Sequence, residues 1–228
     1  MQNGMQDYTH IGKEVSSQEV LLQKTYNLLA LSFLPAAAGA FVSMAFNPLA
    51  MIGNRWIAIG ITFAFFYGMC FAIEKNRYGK AGVALLMVFT FGMGILIGPL
   101  LQYSSMFSNG SQLVAIAAVM TAAVFFTMAA LSRKLSFDTN ALGRFLMIGV
   151  IVSMIAVVAN LFLQMPVLSL TISGVFVIIS SLMIMWQIRT VLEGGEDSYI
   201  SAALTIFISI YNLFSSLLQL LLSFAGED

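Results

Sequence analysis

The stretch FLMIGVIVSMIAVVANLFLQMPVLSLTISGVFVIISSLMIMWQ, running from Phe145 to Gln187, decides the fold, because it carries no charged side chain. As one helix rising about 1.5 Å per residue it would extend about 65 Å, roughly twice the 30 Å hydrocarbon core of a bilayer. It must therefore fold back on itself. Pro166, preceded by Gln164 and Met165, is the reversal point, since proline ends an upstream helix and suits the first turn of the next. The stretch reads as two membrane spans joined by a tight hairpin.

Outward from this hairpin, apolar runs fall at about 26–46, 56–73, 81–103, 113–131, 145–164, 167–187 and 200–224. Asn47, Pro48 and the Gly53-Asn54-Arg55 cluster break the first long apolar region. Of the 228 residues 60% are hydrophobic and only 9% charged, against roughly 25% charged in soluble domains. Together with a mean hydropathy of +0.94, this excludes a water-soluble globular enzyme and a large extramembrane domain. The fold class is all-α: a polytopic membrane protein of seven transmembrane helices. A polar tail over 1–24 precedes a single membrane domain over 25–228.

The tail lacks the basic n-region of a signal peptide. Its composition predicts a segment that is mostly disordered unless bound. Ser16 to Glu19 fits a capping box and predicts that the first helix starts there, ahead of the membrane.

Basic residues set the orientation. Lys13, Lys24, Lys75, Arg77, Lys80, Arg133, Lys134, Arg144 and Arg189 fall on one side of the seven spans, and Arg55 alone on the other. The N-terminus is thus expected in the cytoplasm and the C-terminus outside.

Net charge is zero, with no basic block for nucleic acid. The single cysteine, Cys70, lies in an apolar run and the single histidine, His10, in the tail. Neither a disulfide nor a zinc constellation can be assembled from them. No Ser-His or paired-Asp arrangement stands out, so neither enzymatic activity, a cofactor nor a metal site is expected. No ionisable side chain falls at membrane depth, which argues against a pump built on buried carboxylates.

Uncharged polar groups do occur there: Asn160 in span five, Gln187 at the end of span six, and Ser209, Tyr211 and Asn212 in span seven. They either bond helix to helix or line a path for ions or water. Ser209 and Asn212, three apart, share a helix face. Small residues are spaced for close packing at Gly60, Ala64 and Gly68 and at Gly94 and Gly98. Pro99 cannot donate to the carbonyl of Ile95, which predicts a kink in span three.

The run Gly94-x-x-x-Gly98-Pro99 resembles the signature of the Bax inhibitor family of membrane proteins. VVANLFLQMP at 157–166, GGEDSYI at 194–200 and IYNLF at 210–214 are similar to its bacterial YccA branch. The resemblance covers nearly the whole membrane region. It implies six helices around a more central seventh, in the bacterial inner membrane. It also implies one of two activities. Family members include calcium-permeable leak channels gated by an acidic pair on the last two helices. Here those positions fall on Gln187 and Ser209, which do not ionise, so a pH-gated calcium leak does not carry over. Proteins of the YccA branch associate with the membrane-anchored AAA protease FtsH as slowly handled substrates and as modulators, which requires no buried charge. The preferred expectation is an FtsH-type protease modulator, and the alternative a calcium or cation leak without pH gating.

Overall fold

The structure, a computed structural model, describes residues 2–46, 48 and 50–226, with side chains from residue 17 onward. Its elements are α1 (Gln2–Phe46), a short 3-10 turn (Ala50–Ile52), α2 (Arg55–Lys75), α3 (Lys80–Ser104), α4 (Gly110–Lys134), α5 (Thr139–Leu163), α6 (Pro166–Leu192) and α7 (Tyr199–Ala225). Among the described residues seven helices are long and apolar enough to cross a membrane, the first through its Ser17–Phe46 portion. They coincide with the seven apolar runs, most of them extended by a few residues into polar sequence.

The hairpin forms where proline places it. α5 closes on Gln164 in the left-handed region (φ 52°) and α6 opens with Pro166 in its first turn. Asn160 stabilises this reversal, because its Oδ1 accepts the Met165 N–H at 3.1 Å. Asn54 caps α2 by accepting from Trp56 and Ile57, Asp138 caps α5, and Ser198 caps α7. Each satisfies N–H groups that a helix start leaves without a partner.

The start of the first helix is corrected. α1 is helical from Gln2, so the Ser16–Glu19 box lies inside the helix and does not open it, and residues 2–24 are helical where composition predicted disorder. No proline precedes Pro35 in α1, so nothing sterically interrupts the hydrogen-bond ladder upstream of the membrane. His10 and Lys13 have side chains outside the described set.

α7 is the axis of the bundle. It packs against α1, α2, α3, α4 and α6, and Ile200, Ala202, Ala203, Ile206, Leu213 and Leu218 are wholly buried in it. The outer helices turn large apolar side chains outward, such as Phe41, Phe71 and Val167, each more than 70% exposed. That arrangement suits hydrocarbon surroundings, where exposed apolar surface carries no penalty. α5 is the least anchored helix. Its backbone packs against α6 alone. It meets α2 only through side chains, with the Trp56 and Phe162 rings 5.4 Å apart and the Tyr67 hydroxyl 4.0 Å from the Met154 sulfur.

Candidate functional site

Gln187 and Ser209, the positions to which the resemblance assigns the acidic pair, are both buried. Ser209 spends its hydroxyl within α7, donating to the Thr205 carbonyl at 2.8 Å. Gln187 makes no side-chain hydrogen bond among the described residues. The two also differ in depth. Measured from the 193–198 connection at about 1.5 Å per residue, Gln187 lies about 8 Å along α6 and Ser209 about 15 Å along α7. Both side chains are neutral and the Ser209 hydroxyl is already satisfied, so these positions offer a cation no carboxylate.

The glycine motif is a packing device. A Cβ on Gly94 would meet the Ala36 carbonyl oxygen at 2.0 Å, and one on Gly98 the Ser43 Oγ at 1.8 Å. Gly39 answers from α1, where a Cβ would meet the Phe91 oxygen at 2.0 Å. The two helices therefore touch backbone to backbone, with the Gln102 amide donating to the Ser43 carbonyl at 2.8 Å along the same seam. Pro99 faces outward, and α3 remains one helix through it to Ser104. The second small-residue stripe is corrected. Gly60 and Gly68 have nothing within 4 Å of an added Cβ, and with Ala64 they are exposed on α2. α2 sits on the rim of the bundle, so among the described residues the spacing meets no other helix.

Two of the candidate lining residues do share a cavity. A polar cavity of about 500 Å³ lies between the C-terminal end of α5, the first half of α6, the last half of α7 and Arg55 at the start of α2, and both Asn160 and Asn212 line it. Gln219 spans two walls, its amide donating to Ser169 Oγ at 2.7 Å while its Oε1 accepts from Ser173 at 2.9 Å. Tyr211, one residue along from Asn212, turns the other way into an apolar cavity of about 570 Å³ with Phe33, Ile97 and Phe207. A single continuous polar path through Asn160, Tyr211, Asn212 and Ser209 is therefore not formed.

At the opposite end, ion pairs tie the connections together. Arg77 joins Glu196, Asp197 at 2.8 Å and Glu74 at 3.4 Å. Ser198 donates to the Arg77 carbonyl at 2.6 Å, and Ser201 to Glu74 at 3.0 Å. Partial burial opposes the Arg77 charge, yet Glu196 and then Asp197 hold its pKa above the ordinary value. The Tyr78 hydroxyl, donating to Asp197 at 3.0 Å, holds that carboxyl below its ordinary value, with help from Arg77. A second latch forms where Arg189 meets Glu193 at 2.6 Å and Thr139 donates to the same carboxylate at 2.7 Å. Foremost the Thr139 bond, and then Arg189, lowers the Glu193 pKa. Partners up to 127 residues apart carry no signal in one sequence.

Comparison with known proteins agrees with this architecture. The family model described as Inhibitor of apoptosis-promoting Bax1 matches residues 18–226. An uncharacterized protein of Neisseria meningitidis is 60% identical over 230 residues, covering the whole of both chains. Modulator of FtsH protease YccA from Escherichia coli is 34% identical over 220 residues, 96% of this chain and 97% of that one. An uncharacterized protein of Pseudomonas aeruginosa is 36% identical over 216 residues, 95% of this chain and 93% of the relative.

Proposed function

The chain belongs to the Bax inhibitor family, and from that premise we propose that it modulates a membrane-anchored AAA protease of the FtsH type in the bacterial inner membrane. The observation that carries this reading is the likeness, along 96% of the chain, to a protein named as a modulator of FtsH protease. A relative from a second E. coli strain, also 34% identical over 220 residues, is named Inner membrane protein YccA. In the proposed orientation the end bearing Arg77, Arg189 and the start of α1 faces the cytoplasm, where such a protease works. The role requires no catalytic group and no metal.

Two physical features support it. The seam between α1 and α3 is closed backbone to backbone, and the cytoplasmic connections are held by the two charged latches. A body built in this way resists being pulled apart one helix at a time, so it can occupy a protease without being consumed quickly. Against the alternative of a cation leak stand Gln187 and Ser209, whose neutral dipoles hold a divalent cation far less well than carboxylates.

The test is isolation of the full chain in mild detergent with identification of what is bound, followed by degradation of a membrane substrate by the reconstituted protease with and without it. A stable complex and an altered degradation rate are expected. No association together with an unaltered rate would overturn the proposal. In liposomes, calcium flux should stay at the protein-free level and be flat between about pH 6 and 8, the window a raised carboxylate would cover.

A further inference from the structure

The polar cavity beside Arg55 has no part in the protease reading, and its chemistry calls for an occupant of its own. Gln219 lies about 9 Å and Asn212 about 20 Å from the end of α7, counted at 1.5 Å per residue. The cavity thus reaches well into the roughly 30 Å hydrocarbon zone. Polar groups at such depth carry a desolvation cost unless they are partnered. Ser216 lines this cavity, is 93% buried and makes no hydrogen bond through its hydroxyl among the described residues. The Asn212 amide also lines it without a side-chain hydrogen bond among those residues.

The charge that lines the cavity favours an anion. Arg55 is the one Lys or Arg assigned to this side of the membrane, it lines the cavity, and among the described residues it has no ion-pair partner. α6 starts at the cavity wall on Pro166 without a side-chain cap, so the positive end of its dipole adds to the same field. α2 starts there too, but Asn54 has already taken its first N–H groups.

The way in is lateral. The ring of helices is closed between α2 and α5 by side chains alone, the Trp56–Phe162 contact lying beside Arg55. Around that gap Trp56, Ile57, Phe162, Met165 and Val167 are all at least half exposed. A ligand matching this site has a negatively charged, hydroxyl-bearing polar part and a long apolar part that stays in the membrane.

We propose that the cavity between α5, α6, α7 and the start of α2 binds the phosphate head group of an anionic phospholipid, admitted through the gap between α2 and α5. Arg55 meets the phosphodiester. Ser216, Asn212 and Gln219 meet head-group hydroxyls and ester oxygens. The acyl chains lie outside, along the apolar rims of α2 and α5.

The experiment uses the full chain purified in detergent. Binding of phosphatidylglycerol, phosphatidylcholine of the same acyl chains, and inorganic phosphate is measured by native mass spectrometry and thermal unfolding. Phosphatidylglycerol should bind about tenfold or more tightly than phosphatidylcholine, the scale of one charge-assisted contact. Arg55→Gln should erase that preference without changing the lipid-free unfolding temperature, Arg55→Lys should keep much of it, and Arg133→Gln at the other end should keep all of it. Equal binding of the two lipids would overturn the proposal. So would a preference that survives Arg55→Gln or falls equally in Arg133→Gln. Inorganic phosphate protecting as well as the lipid would also overturn it, by making this a site for a soluble anion.

Discussion

Replacing Gly94 by alanine adds one methyl group where α1 and α3 touch. The new Cβ would stand 2.0 Å from the Ala36 carbonyl oxygen, 2.9 Å from the carbon behind it and 2.9 Å from the Ala40 nitrogen. All three are backbone atoms of the facing helix, so no rotamer change relieves the clash. Restoring an ordinary 3.4 Å contact to the oxygen requires the helices to part locally by about 1.4 Å. A gap of 0.5–1 Å already forfeits a quarter to a half of the dispersion energy of the atoms lining it, and overpacking of this kind costs about 1–3 kcal/mol. The loss should fall in the upper half of that range, because the packing between helices in hydrocarbon comes from such contacts with no hydrophobic term to offset it. Equilibrium unfolding in mixed micelles, with SDS titrated into a mild detergent, reads it directly. Gly60→Ala is the matched control, since nothing lies within 4 Å of its added Cβ, and the helix propensity of alanine should leave it neutral or slightly stabilised. Equal stability of Gly94→Ala and the parent, or equal losses in both variants, would refute the assignment of the motif to packing.

Three other outcomes follow from the same geometry. Gln164 holds φ 52°, a left-handed conformation that costs a residue with a Cβ about 1–2 kcal/mol, so Gln164→Gly should stabilise the hairpin by about 1 kcal/mol in the same unfolding assay. Asp197 and Glu193 both titrate below their ordinary values of 3.8 and 4.5. Their contribution to stability is present above those values and is lost as pH falls through the lowered folded ones, so amide exchange over 193–198 should be unchanged between about pH 8 and 5 and accelerate, after correction for intrinsic rates, below about pH 4. A cytoplasm-specific reporter should be active when fused ahead of residue 1 and silent after Asp228, and activity at both ends would refute the orientation drawn from the basic residues.

The hairpin was legible because two independent signals agree on it: a run too long for one crossing, and a proline at its middle. Helix existence followed from hydropathy in all seven cases, since a bilayer leaves helices as the way to satisfy every backbone group within a single segment. The start of α1 was misread because S-x-x-E stabilises a helix start without forbidding helix upstream of it. The small-residue stripes show a different limit. Gly60-x-x-x-Ala64 and Gly94-x-x-x-Gly98 are equivalent as strings, and only their places in the bundle separate a rim-facing stripe from a seam. The small run Ala36 to Ala40 on α1, opposite Gly94, was the available signal that a seam partner existed. Asn160 was legible as a polar group at depth, but its bond to the Met165 N–H depends on Gln164 adopting a left-handed conformation that glutamine rarely announces.

The anchoring of the helices is uneven, and this bears on what the protein can do. Separating α1 from α3 breaks contacts along a seam where backbones meet directly. Displacing α5 disturbs one backbone interface, with α6, and a few side-chain contacts with α2. The free energy of local opening follows packing density, so the loosely held helix is the one whose position responds to small changes in energy. That helix also carries Asn160 on the wall of the polar cavity, and its first residue, Thr139, donates to Glu193 in a charged latch at the other end. A ligand that preferred a shifted position of α5 would bias, by the difference in its affinity for the two positions, the surface offered at the latch end. The closed seam between α1 and α3 would leave the remainder of the body unchanged.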